Sequence, residues 1–155
     1  MGHYSDVAQA LESALSGITD IGTIHKGWPL IINQTDVVDQ FLYELPAGNK
    51  ILRTWIITRT RRLNEYETTT ETTAIDEWTI YHYYGYNDDQ TPPSDEEFQE
   101  FLDDVFDEIM PDLTIDDYFY TRTPLQAQNM GLKLFCGVLC HYAEIVFQGS
   151  WEKTF

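Results

Sequence analysis

From Lys50 to Arg62 the side chains alternate without a break. Ile51, Arg53, Trp55, Ile57, Arg59 and Arg61 fall to one side, and Leu52, Thr54, Ile56, Thr58, Thr60 and Arg62 to the other. A helix brings together residues three and four apart, so a run of period two this long reads as one extended strand. A second alternation, from Thr72 to Tyr84, places Ala74, Trp78, Ile80 and Tyr84 on one face, with β-branched and aromatic residues throughout. The two strands are expected to pair as a long antiparallel hairpin. Their connection, Leu63 to Glu71, is rich in Glu and Thr and is either a solvated loop or a hairpin tip projecting from the body.

Helical spacing frames this hairpin on both sides. Ser5 is placed to cap a first helix whose apolar face is Val7, Leu11, Ala14, Leu15 and Ile18, with Gly17 near its end. Ser94 and Glu97 have the spacing of a capping box, Asp95 and Glu96 sit in the first turn, and Phe98, Phe101, Leu102, Val105, Phe106 and Ile109 form a continuous stripe that Pro111 ends. Between Ile18 and Ile32, Gly22, Gly27 and Pro29 break the chain into a brief strand and a turn. Thr35 to Leu45 is ambiguous but matches a short helix. Ile115 to Arg122 reads as another strand, and Met130 to Gln148 as one long strand or two that meet near Gly137, with Leu139, His141, Ala143, Ile145 and Phe147 on one face. The fold expected is α+β, a mainly antiparallel sheet with two helices packed on one face. A chain of 155 residues, 43% apolar and 14% aromatic, suits one domain spanning 1–155 with a core that needs no disulfide or metal.

Charge narrows the partners. The 26 acids against nine Lys and Arg give a net charge of −17, so the average surface repels nucleic acid and anionic membrane. The two signs are also segregated: Lys50, Arg53, Arg59, Arg61 and Arg62 cluster in the first long strand, whereas residues 88–117 hold thirteen acids and no base. One basic patch on an acidic body suits contact between copies of the chain or with a charged neighbour. The candidate contact residues are Arg53, Arg59, Arg61 and Arg62 on the strand, and Glu96, Glu100, Asp103 and Asp107 on the polar face of the second helix. Gln99 shares that face.

The residues that carry catalysis or cofactors form no specific pattern. The nine glycines are scattered, with neither GxGxxG nor GxxxxGK[ST] among them. Cys136, Cys140 and His141 are the only Cys and His cluster, and in an extended segment positions four apart are roughly 13 Å from each other, too far to share a zinc ion or a disulfide. His141 is expected to be a core histidine with its ring nitrogens hydrogen-bonded. Cys140 or a serine, His82 or His141 and a carboxylate could be combined into a triad, but no GxSxG turn supports it, and pairs such as Asp103-Asp104 and Asp116-Asp117 are lost in the general excess of acid. Asn87-Asp88-Asp89 begins like a calcium loop without its glycine and final glutamate. Trp55, Trp78 and Tyr81-His82-Tyr83-Tyr84 read as core and interface aromatics rather than as a base-stacking platform. The expectation is a chain without enzymatic activity, cofactor or metal.

No window approaches eighteen uncharged apolar residues, and the start of the chain, Met1 to Asp6, has neither a basic nor an apolar run. Two cysteines make no disulfide framework. Together these predict a soluble protein kept inside a cell, in which the sequon Asn33-Gln34-Thr35 has no use.

Four segments in order resemble the small tail-terminator and neck proteins of long-tailed bacteriophages. They are Gly17-Ile18-Thr19-Asp20-Ile21-Gly22-Thr23-Ile24-His25 after the opening helix, Trp55-Ile56-Ile57-Thr58-Arg59, Trp78-Thr79-Ile80, and Gly137-Val138-Leu139-Cys140-His141-Tyr142-Ala143-Glu144-Ile145. The resemblance implies a virion protein assembled in the host cytoplasm as a ring, commonly of six copies. Such a ring caps the finished tail tube, meets the neck or head-completion protein, and lets genomic DNA pass without specific binding. It implies no catalytic residues. Two other readings stand beside it: a head-closing connector or stopper, and a small acidic DNA mimic that inhibits a host nuclease.

Overall fold

The computed structural model describes residues 3–29, 39–45, 48–66, 71–87, 93–109, 119–121 and 123–154. Helix α1 (His3–Ser16) leads to strand β1 (Thr23–Lys26), and a helical stretch at 39–41 runs into β2 (Leu42–Glu44). The long strands β3 (Lys50–Tyr66) and β4 (Glu71–Gly85) follow, then helix α2 (Ser94–Ile109), β5 (Phe119–Thr121), β6 (Gln126–Phe135) and β7 (Val138–Thr154). The sheet runs β1-β3-β4-β7-β5, with β2 also beside β3 and β6 also beside β7. Only the pairing of β1 with β3 is parallel among the described residues. The α+β architecture, the long hairpin and the two helices on one face are as the patterning predicts.

Period two explains how the sheet carries a core on each face. Trp55 and Ile57 of β3, Ala74, Trp78, Ile80 and Tyr84 of β4, and Ala143, Ile145 and Phe147 of β7 meet Val7, Leu11 and Leu15 of α1 and Phe98, Phe101, Leu102, Val105 and Ile109 of α2 in one buried cluster. The other face holds a smaller cluster of Phe41, Leu52, Ile56, Tyr83, Cys140 and Tyr142. Trp55 and Trp78 have no exposed surface, and Trp55 Nε1 donates to the Ile21 carbonyl at 2.8 Å. Burying such side chains stabilises by about 1.5–3 kcal/mol each, so these rings hold the sheet under the helices. At Gly22 (φ +103°), a Cβ would sit 2.4 Å from the Arg53 carbonyl oxygen, so only glycine lets the loop before β1 approach β3 this closely.

Several local expectations change. Helix α1 begins at His3, so Ser5 lies inside its first turn rather than at the cap, and Ile18 follows the helix, its N–H bonding the Leu15 carbonyl. The ambiguous stretch ends partly as helix at 39–41 and partly as β2, while residues 30–38 lie outside the described residues. The hairpin stays paired from Arg53 opposite Tyr84 to Tyr66 opposite Thr72, so most of the expected connection is strand, and 67–70 lie outside the described residues. Of the strand expected over Ile115 to Arg122, Phe119–Thr121 is strand and the remainder lies outside the described residues, as do Asp88 and Asp89 of the calcium-like run. The Met130 to Gln148 segment is two strands: Phe135 pairs with Val138 around Cys136 (φ 51°) and Gly137 (φ 78°), a two-residue hairpin turn with both central residues left-handed. That turn leaves Leu139 at 40% exposure instead of in the core.

One correction bears on the arginines. Arg59 faces Trp78 but Arg61 faces Glu77, so a β-bulge at Thr60 adds a residue to β3 and reverses its alternation beyond that point. Simple alternation puts Arg62 opposite Arg59. In the fold both reach one carboxylate: Asp76 lies 3.6 Å from Arg59 and 3.8 Å from Arg62.

Candidate functional site

The basic strand and the acidic helix face supply the candidate contact residues, and the fold sorts them by burial. Arg53 is 2% exposed and therefore not a surface contact. Its Nη1 donates to the Asp20 carbonyl at 2.7 Å, its Nη2 to the Tyr84 hydroxyl at 3.0 Å, and the same Nη2 is 3.4 Å from Glu97. The rings of Tyr84 and Phe101 lie 4.8 Å from its guanidinium carbon. Glu97 also accepts the Tyr84 O–H at 2.6 Å, so β3, β4, α2 and the loop before β1 are tied at one point. A charge is tolerated there because a carbonyl, a hydroxyl, a carboxylate and two aromatic faces meet the guanidinium.

Arg59 is half-buried, paired with Asp76, and packs over the Tyr4 ring at 5.5 Å. Asp76 is 1% exposed, so Arg59 serves the fold first. Arg61 and Arg62 are exposed on the distal half of β3. Glu96, Glu100, Asp103 and Asp107 all lie on the exposed face of α2, with Gln99 among them. The fold thus leaves two unlike charged surfaces on separate elements: arginines on the β3–β4 hairpin, carboxylates on α2.

The structure brings Ser94, Asp95 and His141 together. Ser94 Oγ lies 2.8 Å from His141 Nε2 and accepts the Asn87 N–H, and the Glu97 N–H bonds the Pro93 carbonyl. Asp95 is 3.9 Å from His141 Nδ1, beyond hydrogen-bond range. Ser94 is 3% exposed, so this contact ties the start of α2 to β7; the expected capping box gives way, because the Glu97 N–H takes the Pro93 carbonyl and the Glu97 carboxylate takes Arg53 and Tyr84. Burial holds the His141 imidazole below its ordinary pKa, with Asp95 opposing that shift. His82 is more extreme. It is sandwiched between Trp55 at 3.5 Å and Phe98 at 5.3 Å, its Nδ1–H donates to the Thr54 carbonyl at 3.0 Å, and burial lowers its pKa to about 3. It is a neutral core residue at ordinary pH.

Cys136 sits in the β6–β7 turn and Cys140 is buried on β7. The segment between them is therefore not extended throughout, as the spacing argument assumed. Burial pushes both thiols up, Cys140 to about 12, which keeps them protonated and poorly nucleophilic. Among the described residues no group of three His, Cys, Asp or Glu is placed to hold a metal ion, and no helix is long and apolar enough to cross a membrane.

One surface escaped the sequence reading. Met130, Leu132, Leu134 and Leu139 are 43%, 57%, 70% and 40% exposed, and all lie on the β6–β7 hairpin. Tyr86, 41% exposed, adjoins them: its N–H bonds the Leu139 carbonyl. A groove of about 420 Å³ runs between this hairpin and the first turn of α2, lined by Tyr86, Asp95, Gln99, Met130, Leu132 and His141. A signal for it existed: from Tyr118 to Ala143 the chain has no Asp or Glu, in a protein with 26 of them. No protein-family model matches the chain, and no curated protein matches it.

Proposed function

We propose that this chain is a structural virion protein of a long-tailed bacteriophage, a ring of six copies that ends the tail tube and joins it to the neck of the head. The observation that carries the reading is the separation of exposed arginines on the β3–β4 hairpin from the exposed acids of α2. A closed ring is built from heterologous contacts, in which one patch of each subunit meets a different patch of the next, and two unlike charged surfaces on one chain supply such a pair. The resemblance carried by the Gly17–His25, Trp55–Arg59, Trp78–Ile80 and Gly137–Ile145 segments gives the ring its place at the tail end. A net charge of −17 suits a channel through which DNA passes without sticking, because carboxylates repel phosphate where lysine and arginine would bind it.

The test is the mass of the purified chain by light scattering together with negative-stain images. The expected result is an assembly several times the 18.1 kDa of one chain, seen as a ring with an open centre. Added to headless tails, the ring should bind their upper ends; binding to filled heads alone would make it a connector. A monomer that captures a host nuclease would overturn the reading in favour of DNA mimicry.

A further inference from the structure

Strand β6 is held from one side only. Among the described residues its ladder is with β7 and is broken by a bulge between Gln128 and Gly131, so no described strand pairs the other edge of Gly131–Phe135. Native chains blunt such an edge with charges, proline, a β-bulge or a covering element; in β6 the bulge falls before Gly131 and leaves the Leu132–Phe135 end regular. Here Gln126–Phe135 contains no proline and a single charge, Lys133, whose ammonium is drawn over the Tyr142 ring at 4.4 Å. Leu132 pairs with His141 and Leu134 with Leu139, so these exposed side chains share the face of the sheet that α1 and α2 cover elsewhere. The helix layer stops short of them. An edge left open, apolar and almost uncharged is a surface made for a partner.

We propose that the free edge of β6, with Met130, Leu132, Leu134 and Leu139, is the surface on which a second copy of this chain docks. Charge identifies the occupant. Two copies at −17 repel each other over most of their surface, and they approach at least cost where acid is missing, which is the stretch from Tyr118 to Ala143. The apolar centre has an acidic rim, because Asp95 lines the groove beside Met130 and Leu132 and the acids of α2 continue from it. A partner must then bring a basic rim. This chain presents an exposed cation for it in Arg61, eight register positions away along β4, since Arg61 pairs with Glu77 whereas Cys140, next to Leu139, pairs with Gly85. That is roughly 26 Å along the strands. Two patches that far apart on one chain cannot close a contact within it, but they can do so between successive copies, which is the heterologous contact of a ring.

The inference rests on the ring reading and is tested so that the two can fail separately. The double variant Leu132→Glu/Leu134→Glu changes two exposed side chains, so its circular dichroism and melting curve should match those of the native chain diluted to monomer. Its mass should fall to that of one chain at concentrations where the native protein is an assembly. As a second measurement, amide exchange along β6 in the native assembly should be at least about tenfold slower than in the same protein diluted to monomer, because pairing protects an edge strand. A double variant that keeps the native mass overturns this surface while leaving the ring intact. One that keeps its mass but no longer binds tails assigns the patch to a tail protein and equally overturns it. A native chain that is monomeric throughout, with β6 exchange independent of concentration, overturns both.

Discussion

The guanidinium of Arg53 and the carboxylate of Glu97 meet 3.4 Å apart where β3 passes under α2, with the arginine 2% exposed and the glutamate side chain 30% exposed. The pair therefore belongs to the packing between sheet and helix. Replacing Arg53 with Met leaves Glu97 and the Tyr84 hydroxyl without their cation. Because water still reaches Glu97, the cost should fall at the low end for a broken buried pair, about 3 kcal/mol. Denaturant unfolding of Arg53→Met, Glu97→Gln and the double variant measures it. The double variant should lose less than the sum of the two singles; strict additivity would show that the two do not interact.

The β-bulge at Thr60 separates two arginines that alternation treats alike. Arg59→Glu would set a second carboxylate against the buried Asp76 and should destabilise the chain by about 3 kcal/mol. Arg61→Glu, on an exposed residue, sets a like charge across the ladder from Glu77 and should cost about 1 kcal/mol, well below the Arg59 variant. Under the proposed function, Arg61→Glu should also weaken assembly, and added salt should act in the same direction on the native protein. Equal stability losses for the two variants would contradict the register described for β3.

His82 makes acid sensitivity a property of the core. Its folded pKa of about 3 lies below the ordinary 6.5, so between those values the unfolded chain binds the proton and the folded chain does not. Stability must then rise with pH across this window and fall on acidification, by about 1.4 kcal/mol per pH unit from this one group. Above pH 6.5 it should have no effect. His82→Phe keeps a ring between Trp55 and Phe98 but cannot titrate, so the slope of its unfolding free energy between pH 3 and 6.5 should be shallower by one proton. An unchanged slope would mean that His82 is protonated in the folded chain.

The helix-covered core should be intolerant of charge. Val105 is fully buried on α2, so Val105→Asp puts an unpaired carboxylate between helix and sheet and should abolish cooperative folding. Trp78, also without exposed surface and stacked on Tyr4 at 5.3 Å, should cost on the order of 3–5 kcal/mol when cut to Ala. Thermal and denaturant melts read both. A Trp78→Ala variant of native stability would place that ring outside the core.

The elements were legible where a single period runs long enough to exclude the alternative. The alternation of Lys50 to Arg62 and Thr72 to Tyr84, and the 3.6-residue stripe from Phe98 to Ile109, each name their structure because only one backbone geometry gathers those apolar residues on one side. Charge segregation was legible too, since it is a matter of order along the chain. The fate of each charge was not. Arg53, Arg59 and Arg61 stand in one alternating row, yet the first is buried under α2, the second is bound to Asp76 and the third is exposed. A one-residue bulge and the path of a distant helix divide them, and neither leaves a mark in the strand's own pattern. The exposed leucines of β6 follow the same rule. Their spacing is that of any core strand, and they stay uncovered because α2 starts where it does, tied by Ser94 to His141. Local period thus determined the strands and helices of this protein, while burial, and with it which side chains are left for a partner, was decided by contacts between segments far apart in the chain.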